Sequence, residues 1–103
     1  MRRWNGWGDE RTSMPVPDAA RRSLAEWVGE ATPPRDAALG DVASSLPPSR
    51  LQIPGAAADP EARLRHARGQ SLPDWVALRS GSVGRVPDAV AYPETAADVR
   101  RLL

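Results

Sequence analysis

His66 is the only histidine of the chain and lies in the run RLRHARG, between Arg65 and Arg68. A general base needs a carboxylate or a nucleophile within reach. The sequence neighbours here are cations, which favour the neutral imidazole, so the residue reads as structural or surface-lying rather than catalytic. A metal site is weaker still, because one histidine and no cysteine leave only scattered carboxylates as ligands. Arg63, Arg65 and Arg68 could contact an anion such as a phosphate, and Arg65 and Arg68, three apart, share a face if a helix runs that far. Ion pairing with Asp59, Glu61 or a covering surface is the simpler use of these arginines.

Three glycine features, GWG at Gly6, SGSVG ending at Gly84, and the lone Gly69, are candidates for a nucleotide loop. A phosphate-binding loop needs clustered glycines between a strand and a helix, so that free backbone amides point at the anion, and none of the three has that setting. Ser13, Ser44, Ser45, Ser71, Ser80 and Ser82 lack the surroundings of a nucleophile elbow, and capping or turn roles suit them better. No residue is put forward as catalytic, cofactor-binding or metal-ligating.

The elements that would position such groups are mostly short helices. Trp4 to Gly8, WNGWG, reads as a turn whose indoles lie against another surface. Pro17 and Asp18 start a helix over about 19–30, with Ala20, Leu24, Trp27 and Val28 on one face and Arg21, Arg22 and Glu26 on the other. The connector from Thr32 to Asp59 carries Pro33, Pro34, Pro47, Pro48 and Pro54 and is expected to run extended, with at most helical turns near 37–42. Asp59 caps a helix over 60–67 that breaks at Gly69. Ser71, with Asp74 three residues on, caps another over 72–79 that ends at Gly81, with Trp75, Val76 and Leu78 as its buried side. Asp88 to Tyr92, DAVAY, reads as a short strand. Thr95, with Asp98 at the capping-box position, opens a last helix whose Val99, Leu102 and Leu103 form an apolar stripe. A strand followed by a helix normally returns to a second, parallel strand, and none follows here, so the chain is expected to be the front of a larger protein.

Composition points the same way. Of the 103 residues 17 are alanine, phenylalanine is absent, and Leu, Ile and Val number 18, which is thin material for a core. The net charge of +1 argues against full disorder, so part of the chain is expected to fold and part to depend on a remainder. All 14 basic residues are arginine, a pattern that fits GC-rich coding, and 13 acidic residues are mixed among them. No single-signed stripe exists to drive nucleic-acid binding by counterion release. The absence of cysteine excludes disulfides, thiolate metal sites and a cysteine nucleophile. No apolar run approaches the length of a signal peptide or a membrane span, which makes the cytoplasm the expected location.

WNGWG at the amino end, and RLRHARGQSLPDWVALRSGSVGRVPDAVAYPETAADVRRLL from Arg63 onward, together resemble the front of the FAD-linked oxidase family that includes alkyldihydroxyacetonephosphate synthase, its bacterial members above all. LPPSRL, from Leu46 to Leu51, resembles a segment of that family's variable linker; the likeness is loose from Arg11 to Ala58. The specificity lies in the combination of opening tryptophans, HARG, SLPDW and VPDAV in this order.

The resemblance implies an α+β chain: a mainly helical amino-terminal segment with an extended Pro-rich linker over 1–85, then the first strand and helix of a truncated FAD-binding domain of the vanillyl-alcohol-oxidase type over 86–103. It places the glycine-rich loop that holds the FAD diphosphate beyond Leu103, and the catalytic tyrosine, histidines and substrate-phosphate arginine further still. His66 inherits none of those roles. The parent it implies uses FAD either to exchange an acyl for an alkyl group on dihydroxyacetone phosphate or to oxidise a 2-hydroxy acid, and the fragment alone is expected to be inactive. The expected partner is the remainder of the same enzyme, with a homodimer of the parent allowed. The competing expectation is a small independent helical module that docks on a partner through Trp4, Trp7, Trp27 and Trp75.

Overall fold

The computed structural model describes residues 1–103. Five helices follow one another: α1 (Asp18–Val28), α2 (Leu39–Ser44), α3 (Pro60–Arg65), α4 (Leu72–Ser80) and α5 (Ala96–Leu102). The chain is mostly helical and elongated, 56 × 27 × 23 Å, with a radius of gyration of 17.7 Å. A compact chain of this length would measure about 13 Å, so the ends of the molecule project away from its centre.

The centre is small. Val42 of α2, Leu64 of α3, Trp75 and Leu78 of α4, and Val83 beyond it are buried together, and Trp4, Ala37, Leu39, Leu46 and Val86 pack around them. Helix α2 packs on α3, and the amino-terminal turn closes the other side. Within that turn the Arg3 amide donates to the Gly8 carbonyl at 3.0 Å, while Gly8 takes a positive φ of 83° that an L side chain would resist. The turn lays Trp4 on the core and sets Trp7 edge-on to Trp75, with ring centroids 5.9 Å apart. Asn5 is buried behind it, and its Nδ2 donates to Asp36 Oδ1 at 2.8 Å and to the Ala37 carbonyl at 3.3 Å. The Ala37 amide in turn donates to the Arg79 carbonyl, so the turn, the lead into α2 and the end of α4 are joined.

Local signals define the helices. The Asp59 side chain accepts from the Ala62 amide at the start of α3, and Ser71 with Asp74, and Thr95 with Asp98, form complete capping boxes on α4 and α5. Gly81 ends α4 in the left-handed conformation. Helix α1 has no side-chain cap, begins after Pro17, and stops at Gly29 with φ 85°, two residues short of the expected 30. Helix α3 ends at Arg65 rather than 67.

Two expectations are corrected. Asp88 to Tyr92 is not a strand, and no strand occurs in the chain, so the α+β class gives way to a helical one. Val90 makes one antiparallel bridge with Ala57, each amide donating to the other carbonyl at 2.8 Å. The bridge cannot lengthen into a ladder: Ala57 lies between the turn at Pro54 and Gly55 and the α3 cap, and Pro87 and Pro93, which lack an N–H, flank Val90. Val76 is exposed rather than buried. Trp75 and Leu78, three apart, already take the inward face of α4, and Val76 is turned about 100° from Trp75 around the helix.

The expected apolar faces of the two outer helices exist but lie open. No residue of α1 or α5 is buried. Leu24, Trp27 and Val28 are exposed on α1, as are Val99 and Leu102 on α5 and Leu103 just after it.

Candidate functional site

The histidine and the three arginines of RLRHARG go to different places. His66 is exposed at the end of α3, with Nδ1 at 2.8 Å from the Ala62 carbonyl and its ring edge-on to Tyr92, centroids 5.7 Å apart. No carboxylate or hydroxyl of the chain partners it. Arg65 pairs with Glu61 one turn back at 2.8 Å and also donates to the Arg2 carbonyl. Arg68 pairs with Asp74 at 3.2 Å and reaches the Val83 carbonyl. Asp74 thereby serves both the capping box and Arg68, and its carboxyl is held below the usual carboxylate range, mainly by the Ser71 hydroxyl and amide and then by Arg68. Both arginines are ion-paired, Arg65 with one of the expected partners and Arg68 with Asp74, which was not among them.

Arg63 differs from both. It is 2% exposed, its Nε donates to the Pro87 carbonyl at 2.7 Å, and its Nη1 donates to the Pro47 carbonyl at 2.9 Å. No carboxylate lies within 4.0 Å of its guanidinium, and Nη2 has no protein partner. A buried cation normally carries a counter-ion, and this one is held by backbone dipoles, with only a longer-range attraction to Asp88. Helix α3 positions it: the residue beside it, Leu64, is the most buried side chain of the core, and Arg63 leaves the helix toward the seam between the proline connector and the segment after α4.

That seam forms a cavity of about 750 Å³ lined by Pro47, Pro48, Arg50, Arg63, Arg85 and Asp88 among others. Asp88 takes the Arg50 backbone amide at 3.0 Å and its guanidinium at 2.7 Å. This contact pulls the Asp88 carboxyl down to about 2, chiefly through Arg50, with Arg63 adding a smaller attraction, and it raises the Arg50 guanidinium. Arg85 makes no ion pair and no side-chain hydrogen bond. The cavity therefore gathers three guanidiniums against one carboxylate. Arg50, Arg85 and Asp88 escape a reading by spacing, because 38 residues separate Arg50 from Asp88. The only signal for them in the sequence is that both SRL and RVPD put a charge beside a stiff proline segment.

A second groove, lined by Arg2, Arg3, Arg65, Arg68, Trp4 and Trp75 among others, is also basic, but Arg65 and Arg68 are already neutralised there. The serines act locally: Ser71 caps α4, and Ser44, Ser45 and Ser80 each donate to a carbonyl three residues back. Gly69 lies against Asp74, where an added Cβ would come within 2.9 Å of the carboxylate, so it is a packing glycine and not a phosphate loop. No group of three or more His, Asp and Glu side chains is arranged to hold a metal ion, and no helix is long and apolar enough to cross a membrane.

No family model matches the chain, and no solved structure matches it. Among known proteins it is similar to Protein Rv2250A of Mycobacterium tuberculosis, with 32% identity over 105 residues that span 88% of this chain and 68% of that protein.

Proposed function

The chain belongs to the family of Protein Rv2250A of Mycobacterium tuberculosis, and we propose, from its own residues, that it is the amino-terminal part of an FAD-dependent enzyme of the alkyldihydroxyacetonephosphate synthase-like oxidase type. The observation that carries the reading is the pair of open apolar faces: Leu24, Trp27 and Val28 on α1, and Val99 and Leu102 on α5 with Leu103 just after it, flank a centre that buries only six hydrophobic residues. Burial of apolar area is the main source of folding stability, and helices with uncovered stripes gain it only against further protein. The resemblance of the segments WNGWG, HARG, SLPDW and VPDAV supplies the identity of that protein.

In this reading residues 1–85 brace the FAD and substrate domains of a cytoplasmic parent, and 86–103 lead into the FAD-binding domain. FAD supplies the redox or group-exchange chemistry when bound, and this chain contributes packing and ion pairs to the parent. The runner-up is an independent helical interaction module, favoured by the exposure of Trp7 and Trp27, at 61% and 85%.

A titration of the purified chain with FAD, read by flavin fluorescence beside a circular-dichroism melt, tests the reading. No FAD binding is expected, together with a weak transition from the small buried centre. Tight stoichiometric FAD binding would overturn the assignment of the cofactor site, and a sharp cooperative melt without FAD would move the assignment to the independent module. Reading the coding DNA beyond the Leu103 codon gives a second, sequence-level outcome: an open frame encoding a strand and then a glycine cluster is expected.

A further inference from the structure

We infer that the cavity between the proline connector and the segment after α4 binds a doubly charged oxyanion of the phosphate class, held by Arg63 and Arg85. The inference stands on the geometry of this cavity and does not depend on the identity proposed for the parent.

Three features carry it. Arg63 is a permanently charged guanidinium buried at the cavity wall with no carboxylate within ion-pair distance and with Nη2 unpartnered. Its two carbonyl bonds fix the plane of the fork, so the free edge is already oriented and little side-chain freedom remains to be lost on binding. Arg85 lines the same cavity and is free of hydrogen bonds and ion pairs. Arg50 is different, because Asp88 already takes it from two sides. Once that pair is set aside, two positive charges remain without a side-chain counter-ion. A single carboxylate would balance one of them, whereas a phosphate dianion balances both and offers oxygens for two forks. The volume, about 750 Å³, lies within the range of small-molecule sites, and the walls contributed by Pro47 and Pro48 are stiff.

By contrast, the arginine groove near Trp4 has the greater number of arginines but a smaller excess, since Asp36, Glu61 and Asp74 pair with Arg3, Arg65 and Arg68 and leave only Arg2 without a carboxylate. Counting arginines selects the wrong place, and subtracting the ion pairs selects the right one.

The test is isothermal titration of the full chain with inorganic phosphate, ionic strength held constant with chloride, beside an identical titration with acetate. Saturable one-to-one phosphate binding is expected, with acetate much weaker. Arg63→Gln would disturb the fold along with the site, so the decisive variant is Arg85→Gln, whose side chain makes no internal bonds. It is expected to weaken phosphate binding by about tenfold, the loss of one charge-assisted contact, with an unchanged circular-dichroism spectrum. Arg2→Gln, a cation in the other groove, is expected to leave the affinity as it is. Absence of saturation, equal binding of acetate, or equal affinity of the Arg85→Gln chain would each overturn the inference.

Discussion

Asp88 receives both the backbone amide and the guanidinium of Arg50 across 38 residues of sequence, at 3.0 and 2.7 Å. The contact fastens the proline connector to the segment after α4, where regular structure offers only the single Ala57 to Val90 bridge. Arg50 is 84% exposed and Asp88 is 14% exposed, so the carboxylate is the fixed half of the pair and the arginine the mobile one.

This pair gives the chain a defined acid sensitivity. Its carboxyl is depressed from 3.8 to about 2 in the folded state, so the stabilisation is full above the ordinary carboxylate value and is lost as pH falls through the interval between the two. Arg50→Ala is expected to lower stability at neutral pH and to shrink the further loss between those values. Acid titrations followed by circular dichroism on both chains measure the difference. An identical acid transition in the two would mean that Arg50 does not hold Asp88 in solution.

The two capping boxes have the same local chemistry and unequal consequences. Ser71→Ala removes the hydroxyl that bonds Asp74 at 2.6 Å, and the loss, about 1 kcal/mol, falls on the helix that carries Trp75 and Leu78 into the core. Thr95→Ala removes an equivalent bond from α5, which buries nothing. In urea melts followed by tryptophan fluorescence and circular dichroism, the first variant is expected to shift the midpoint down and the second to leave it in place, with only a small loss of helical signal. Equal shifts would show α5 to be coupled to the core.

The caps were legible because they are short-range. Serine or threonine with an acidic residue three positions on, or a glycine after the last turn, specifies a helix end whatever the rest of the chain does, as at Ser71, Thr95 and Gly81. The strand expected at 88–92 does not form because the alternation in DAVAY states only that the segment is fit for pairing, and pairing needs a second edge that Ala57, hemmed in by Pro54 and Asp59, cannot extend. Val76 stays exposed because a nine-residue helix packed on one side buries a narrow stripe, already filled by Trp75 and Leu78. Arg63 was legible as a cation and as a neighbour of the core, but nothing local reveals that its partners are the carbonyls of Pro47 and Pro87. That information lies in the path of the connector, which has no periodicity to read.

Those two carbonyls make Arg63 a structural residue as well as an anion-facing one. Arg63→Met keeps much of the apolar stem and removes both donors, leaving the carbonyls of Pro47 and Pro87 without partners. The expected destabilisation is roughly 1–3 kcal/mol, read from the midpoint of a denaturant melt. Hydrogen exchange should quicken at the Ala57 and Val90 amides, which share the seam. A Met variant as stable as the parent chain would mean that the seam closes without these bonds.

Trp27 offers the sharpest contrast between the chain alone and the chain in its proposed setting. Its indole is 85% exposed, and it lies on a helix with no buried residue. Trp27→Ser should therefore change the stability of the isolated chain by no more than about 0.5 kcal/mol, as for a surface position without special contacts. Removing a solvent-exposed indole should also shift the mean tryptophan emission to shorter wavelength, since Trp75 and Trp4 are the more enclosed emitters. In the full-length parent the same substitution should be felt strongly, because a covered tryptophan replaced by a small residue loses about 3–5 kcal/mol. Thermal melts of both forms measure the difference. A large destabilisation already in the isolated chain would mean that α1 folds back on the core in solution and that its face needs no further protein to cover it.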